Sequence, residues 1–257
     1  MTRQFELNVR NQQVPPHDVQ QRTRSVYQQV LQKSRYLDGG NFSVIHPDDL
    51  RLLFDAYDEI FFDGGCRQSL GDSPLQFRLS KRMTKTGGTT TRRQFRQTPH
   101  APLRCEYEIA VSTTLLFHSF GDDHRSIRMS GIACRDRLEA LQRVIEHEMV
   151  HLIEMLLWTE SSCAAPRFQS IAQRHFGHTE HRHQLITPRE KAFTQFGIRT
   201  GDRVAFRIDN QQLVGMVNRI TKRATVLVED GTGEKYSDGK RYTKYYVPVH
   251  MLHKLKV

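Results

Sequence analysis

One long helical pattern near the centre of the chain constrains its fold more than any other feature. Asp136 and Glu139 stand in the order of a capping box, an N-cap residue followed three positions later by a glutamate. Apolar residues then recur every three or four positions, as on one face of an amphipathic helix: Leu138, Leu141, Ile145, Met149, Leu152 and Leu156. The pattern therefore predicts a capped helix that runs to about Trp158.

The segment His147-Glu148-Met149-Val150-His151 lies within that helix, and its two histidines and glutamate are off the apolar stripe. Side chains four residues apart stand one turn apart on the same face, so both imidazoles can reach one metal ion. The simpler alternative is an amphipathic helix with two surface histidines. Zinc binds neutral imidazole, and catalytic zinc has three protein ligands and an open position for water. Glu148 would then be the general base that takes a proton from this water.

The composition indicates a basic protein of ordinary domain size. The chain has 257 residues and a formal net charge of +10, which favours polyanions, so DNA or a nucleoprotein is a candidate partner. A basic protein without such a partner is the alternative. No apolar run reaches the ~18 residues that span a bilayer, and the N-terminus lacks the apolar stretch of a signal peptide. We therefore expect no membrane association and a cytoplasmic location.

The four cysteines are far apart and form no Cys-x-x-Cys pair: Cys66, Cys105, Cys134 and Cys163. This spacing argues against a zinc ribbon, and reduced thiols are expected in the cytoplasm. Any one of the four could still bind a metal ion.

The order of the segments predicts an α+β fold with a small antiparallel sheet beside the central helix. Residues 1–40 are rich in Gln and Arg, and we interpret them as a basic, partly ordered arm. Residues 41–185 form the central domain. Its predicted elements are a helix after Pro47, a hairpin of strands 75–80 and 89–96, a third strand over 106–112, the central helix, and a helix over 166–177.

The pattern changes after about Arg199 to short strands separated by turns. We predict a small SH3-like β-barrel of five strands over residues 199–257. Four tyrosines alternate there with lysines and arginines: Tyr236, Tyr242, Tyr245 and Tyr246. Aromatic side chains between cations suit base stacking and phosphate contact in nucleic-acid binding. The alternative is that the tyrosines fill the barrel and the charges only solvate it.

These segments, in this order, resemble the SprT-like, or Spartan-type, family of zinc metalloproteases. The similarity covers about Pro47 to Leu185 and is carried by LFDAYDEIFF, SKRMTKTGGTTTRR, YEIAVSTTLL, the HEMVH helix and the PRF helix. The resemblance implies zinc as cofactor, hydrolysis of protein substrates and a preference for substrates held on DNA. It also implies a third zinc ligand, a histidine in a His-Gly-x-x-Phe motif that opens the next helix. The family's ribbon-type zinc module is absent from this sequence.

The sequence departs from the family motif at that histidine. The expected position is Ala164, in the segment Ala164-Ala165-Pro166-Arg167-Phe168. Cys163 is adjacent and is the first candidate for the third ligand, because a thiolate at the start of a helix is a favoured zinc ligand. His178 is the second candidate. If the second helix is continuous, His178 lies about 15 Å along its axis from the helix start, so it reaches the ion only if this helix runs back toward the site. A different group or an incomplete site is the third alternative. Other downstream candidates are Glu154, Glu160, His175, Glu180, His181 and His183.

We therefore expect a zinc-dependent metallopeptidase. His147, His151 and either Cys163 or His178 would bind the metal, and Glu148 would act as general base. His183 is a weaker candidate for a group that stabilises the transition state. The rival hypothesis is a non-catalytic nucleic-acid-binding protein with a structural metal site, and the lost His-Gly motif favours it. A structural zinc site has four protein ligands and no open position, so the number of ligands separates the two hypotheses.

Overall fold

The computed structural model describes residues 3–95, 104–120, 126–180 and 184–255. The chain divides into two compact units, Met1–Leu185 and Ile186–Val257. Within the described ranges, none of the helices combines the length and the apolar character needed to cross a membrane.

The first unit is a mixture of helices and strands. The helices described there are α1 (Arg3–Asn11), α2 (Pro16–Lys33), α3 (Pro47–Phe62), α4 (Gly65–Leu70), α5 (Thr113–His118), α6 (Arg137–Trp158) and α7 (Pro166–Phe176). The strands are β1 (Leu75–Ser80), β2 (Gly88–Phe95), β3 (Arg104–Ser112), β4 (Ile127–Met129) and β5 (Ile132–Cys134). The predicted central helix is α6, and its N-cap Asp136 accepts a hydrogen bond from the Glu139 backbone N–H.

The sheet beside α6 has the order β1-β3-β2, with β1 parallel and β2 antiparallel to β3. The predicted β1–β2 hairpin and the purely antiparallel sheet are therefore wrong. β3 occupies the centre because it is the most apolar of the three strands, with Ile109, Ala110 and Val111 fully buried. β2 is rich in Thr and Arg and is largely exposed, so it takes an edge position.

Strands β4 and β5 form a two-stranded hairpin that the sequence analysis did not predict. Its two turn residues, Ser130 and Gly131, have φ values of 51° and 83°. Two successive positive φ values are typical of the tight turns that match the twist of a hairpin.

The segment interpreted as a partly ordered arm forms helices α1 and α2, whose apolar sides are buried. Val9, Val26 and Val30 are at most 1% exposed. Arg174 of α7 donates hydrogen bonds to the carbonyl groups of Val9 and Gln12. The described part of this segment is therefore packed into the first unit.

The second unit contains helix α8 (Pro188–Phe196) and five strands: β6 (Arg203–Ile208), β7 (Gln211–Ile220), β8 (Ala224–Lys235), β9 (Arg241–Val247) and β10 (His253–Lys254). They form an antiparallel sheet in the order β10-β6-β7-β8-β9. Its core includes Val204, Phe206, Val217 and Val226. Among the residues described, β9 does not pair with β10, so a five-stranded sheet is present and a closed barrel is not found.

Candidate metal centre

Helix α6 presents His147 and His151 one turn apart, with ring centroids 5.0 Å from each other. After Trp158 the chain leaves the helix through Thr159, whose φ of 67° is left-handed and ends the helix. The short segment that follows turns back before α7 begins at Pro166. This turn brings Cys163 to the two histidines.

One potential ligand atom from each of His147, His151 and Cys163 lies within 4.8 Å of the others. A tetrahedral zinc ion with ligands at about 2.0–2.3 Å requires ligand atoms about 3.3–3.8 Å apart. Small side-chain adjustments would therefore bring all three atoms onto one ion. Two imidazole nitrogens and one thiolate form a ligand set that suits zinc.

The hydrogen bonds of His151 leave one ring nitrogen available for a metal. Its Nδ1 lies 2.7 Å from Ser161 Oγ, and the Ser161 hydroxyl donates its proton to Glu154 Oε2 at 2.6 Å. Because the hydroxyl has one proton, His151 Nδ1 must carry the proton that joins it to Ser161. Nε2 then has a free lone pair for a metal ion.

Glu154 is itself fixed by Arg167, whose Nε donates to Glu154 Oε1 at 2.6 Å. Burial lowers the pKa of His151 to about 4, against the opposing charge of Glu154. The ring is therefore neutral near pH 7, which is the state that binds metal.

Phe168 packs against both histidine rings, with centroids 4.8 Å from His147 and 4.5 Å from His151. Phe168 is 1% exposed. Its ring restricts the orientation of both imidazoles. This is the aromatic residue of the PRF segment from which the sequence resemblance was partly drawn.

Glu148 is 3% exposed and accepts a hydrogen bond from Thr90 Oγ1 at 2.8 Å. Burial raises the pKa of this carboxyl to about 8, and the Thr90 hydrogen bond opposes the increase. A divalent cation at the neighbouring histidines would also lower it, because positive charge stabilises the carboxylate. Thr90 belongs to β2, so the edge strand orients the carboxyl.

Gly88 allows β2 to approach α6 closely at this point. A Cβ atom at residue 88 would lie 2.6 Å from Glu148 Oε1 and 2.8 Å from Val144 Cγ1. A larger side chain at residue 88 would therefore force Glu148, Val144 or strand β2 to shift. Gly87 and Gly88, which both line the cavity, are therefore also part of the site.

The metal centre opens into a cavity of about 310 Å³. Its walls come from the start of β2, the β4–β5 turn, α6 and the turn before α7: Thr86, Gly87, Gly88, Thr89, Thr90, Met129, Ser130, Arg143, Val144, His147, Glu148, His151 and Cys163. A cavity of this size can admit a substrate side chain beside the three candidate ligands.

The structure places His178 in a different polar network. His178 directly follows the C-cap Gly177 of α7, and its Nε2 lies 2.8 Å from Glu146 Oε2. Glu146 also accepts a hydrogen bond from the Tyr57 hydroxyl and one from Arg143. Glu146 is the neighbour of His147 in sequence but projects about 100° away from it around the helix. His178 is thus not brought to His147, His151 and Cys163.

The remaining candidates are also accounted for where they are described. Glu154 acts on His151 through the Ser161 hydroxyl. The His175 ring packs beside Phe62, with centroids 5.1 Å apart. The Glu160 backbone carbonyl accepts a hydrogen bond from Arg167. Glu180 lines a smaller cavity of about 190 Å³. His181 and His183 lie outside the described residues. Sequence analysis missed Ser161 and Thr90, because no sequence motif indicates their hydrogen bonds.

A helix that carries His-Glu-x-x-His beside a small sheet, with a third potential metal ligand from the following turn, is the arrangement of a metalloprotease-like domain. The model of the SprT-like family matches residues 50–185, more than half of the chain, and the chain belongs to this family. No curated protein and no solved structure matches the chain significantly.

Proposed function

We propose that the first unit is a zinc-dependent peptidase of the SprT-like kind. The observation that carries this proposal is the convergence of His147, His151 and Cys163 next to a buried, oriented Glu148 in an open cavity. Zinc held by these three side chains would act as a Lewis acid toward the scissile carbonyl and lower the pKa of water.

Glu148 would take a proton from the attacking water and deliver it to the leaving amine. Thr90 keeps the carboxyl in position throughout, because its hydroxyl donates to Oε2. The Ser161 and Glu154 pair holds the His151 ring in the tautomer that binds metal. Burial of the Glu148 side chain strengthens its electrostatic interactions with neighbouring groups.

Strand β2 offers a place for an extended peptide. In the described sheet β2 is at the edge, and its first residues line the cavity beside Glu148. An exposed strand edge has unpaired backbone groups that can bind a peptide as an additional strand. A peptide bound in this way would pass in front of the metal centre.

The rival structural role requires a fourth protein ligand. Over the described ranges, the candidate metal group contains three residues, and it borders a cavity. Both observations favour an open coordination position, and therefore a catalytic ion, over a closed structural site.

We also propose that the outward face of the second unit binds nucleic acid. From Arg199 to Val257 the chain carries twelve Lys or Arg and six Asp or Glu. The strand register places Arg219, Thr225 and Tyr246 in one row across β7, β8 and β9. The neighbouring row, which also includes β6, consists of Arg203, Met216, Leu227 and Lys244. Tyr246 is 62% exposed and Met216 44%. An exposed aromatic ring between cations suits base stacking and phosphate contact.

The peptidase proposal is tested with Glu148→Gln and the wild-type chain, both loaded with zinc. Cleavage of fluorescein-labelled casein is measured with and without double-stranded DNA, and zinc content is measured in parallel. We expect the variant to retain zinc and to lose cleavage by at least two orders of magnitude. Equal cleavage by both proteins would exclude Glu148 as the base.

A further inference from the structure

Arg143 stands one turn before His147 on α6, so residues 143, 147 and 151 share one helix face. Its side chain is only 10% exposed, and Nη1 donates a hydrogen bond to Glu146 Oε2 at 2.7 Å. Arg143 also lines the cavity of the metal centre. A cation is therefore built into the wall beside the candidate catalytic residues.

Glu146, which accepts the hydrogen bond from Arg143, is held in place and is not accessible to a substrate. Glu146 is fully buried. Its Oε1 accepts from the Tyr57 hydroxyl at 2.6 Å, and its Oε2 is shared by Arg143 and His178 Nε2. Burial, reinforced by the charge of Glu146, raises the pKa of Tyr57 well above its ordinary value, so the phenol remains a donor. The Glu146 carboxylate thus holds the Arg143 guanidinium in place, and Glu146 itself is not among the residues that line the cavity.

The rest of the guanidinium remains available for a ligand. Among the described residues, Glu146 is the partner found for a side-chain hydrogen bond of Arg143, and Nη1 is the donor. Nε and Nη2 are not among the buried atoms that lack a partner. They therefore keep some accessible surface, and Arg143 is one of the residues that line the cavity. Met129, Ser130 and Val144, which line the same cavity, are uncharged, and the carboxyl in the lining is that of Glu148. The charge of Glu139 also acts on Arg143, but its carboxylate is hydrogen-bonded to Arg135.

We propose that Arg143 selects substrates that carry a carboxylate next to the scissile bond. This inference rests on the proposed peptidase function, because it assumes that a peptide is held beside His147. Arg143 and His147 are four residues apart, about 6 Å along the helix axis, so a carboxylate bound by Arg143 would lie close to a peptide bond held beside His147. The planar guanidinium offers parallel N–H groups that bind a carboxylate in a bidentate manner.

The carboxylate can come from two sources, an internal Asp or Glu side chain or the α-carboxylate of a C-terminal residue. Two peptide pairs distinguish them. The first pair carries Glu or Gln at one internal position and has amidated C-termini. The second pair has the same neutral sequence with a free or an amidated C-terminus.

Binding is measured by calorimetry with zinc-loaded Glu148→Gln protein, which removes the proposed base. We expect one acidic peptide to bind about tenfold more tightly than its neutral partner, as for a charge-assisted hydrogen bond. Adding Arg143→Gln should reduce this ratio to less than about twofold, and Arg143→Lys should retain part of it. Arg135→Gln is the matched control. Arg135 precedes α6 and pairs with Glu139 of that helix, but the Arg135 side chain is 87% exposed. Zinc content and circular dichroism check that each variant is folded.

Equal binding within both pairs, no binding of any peptide, or an unchanged ratio in Arg143→Gln would each overturn the role of Arg143. Cleavage of the same peptides by the wild-type chain is measured separately. Discrimination in binding without any cleavage would contradict the peptidase proposal and leave the carboxylate site standing. Cleavage without discrimination would contradict the carboxylate site alone.

Discussion

Ser161 Oγ lies 2.7 Å from His151 Nδ1 and donates a hydrogen bond to Glu154 Oε2. This relation fixes the tautomer of a candidate metal ligand through a residue that no sequence motif identifies. Hydrogen-bond partners of this kind typically change metal affinity 10- to 100-fold when removed.

Replacing Ser161 by Ala should weaken zinc binding about 10- to 100-fold, because the His151 ring loses the acceptor that orients it. Competition with a fluorescent chelator measures the affinity. Ser162→Ala is the control, since the Ser162 backbone carbonyl makes its contact with Ala165. Equal affinities in the two variants would remove the orienting role of Ser161.

Cys163→Ala should lose most of its bound zinc, because one of three candidate ligands is removed. His178→Ala should retain zinc and instead become less stable. Loss of a buried hydrogen bond to the Glu146 carboxylate costs about 2 kcal/mol. Metal analysis and urea unfolding separate the two effects. Zinc loss in His178→Ala with zinc retained in Cys163→Ala would reverse the assignment.

Gly88→Ala should reduce peptidase activity at least tenfold while zinc stays bound. The added methyl group would meet Glu148 Oε1 at 2.6 Å, so either the carboxyl or strand β2 must move. The kcat of casein cleavage measures the effect. Gly39→Ala is the control, because a Cβ atom there has no neighbour within 4 Å. Full activity in Gly88→Ala would show that the close approach is not required.

The free energy of unfolding should fall as the pH decreases below 6.5, in part because of His175. Burial lowers the pKa of this fully buried ring to about 4, whereas the unfolded chain takes up the proton near pH 6.5. The unfolded state therefore binds more protons between pH 6.5 and 4, and stability is lost as the pH falls through this range. The loss attributable to His175 is on the order of 2 to 3 kcal/mol by pH 4.

Urea unfolding of His175→Phe and of the wild-type chain at pH 7, 5.5 and 4.5 tests this expectation. The difference between the two proteins should shift in favour of the variant as the pH falls. His17→Gln serves as control, since the His17 side chain is 85% exposed. Parallel pH profiles in His175→Phe and the wild type would show that His175 does not titrate in this range.

Arg219→Glu combined with Tyr246→Ala should weaken binding of single-stranded DNA by the full chain at least tenfold. Arg219 and Tyr246 lie in one row across the outward face, and the wild-type affinity should decrease steeply with salt. Fluorescence anisotropy at 50 and 200 mM salt measures both. Arg189→Glu in α8 is a charge-matched control. Affinity that is insensitive to salt and to the double substitution would remove this face as a nucleic-acid site.

Local patterns predicted α6 well, and non-local pairing accounts for what was missed. The capping residue Asp136 and the apolar repeat depend on neighbours a few positions apart, so the sequence alone determines them. Whether β1 pairs with β2 or with β3 depends on which strand can be buried on both faces, and this competition involves residues about 30 positions apart. The proximity in sequence of β1 and β2 was therefore misleading.

Helix α8 shows a local signal that was overlooked. Thr187 and Glu190 form a capping box, with Pro188 at the first helical position, but no helix was predicted between residues 185 and 199. No local sequence pattern indicated where His178 lies in the fold. Its distance from Cys163 depends on how α7 packs against α6, which the sequence pattern does not specify.

X-ray absorption at the zinc K-edge identifies the atoms that coordinate the bound ion. We expect the zinc-loaded chain to show two imidazole ligands, one sulfur at about 2.3 Å and one additional light atom, and Cys163→Ala to lose the sulfur contribution. A spectrum without sulfur, or one with four protein ligands, would contradict a catalytic centre formed by His147, His151 and Cys163.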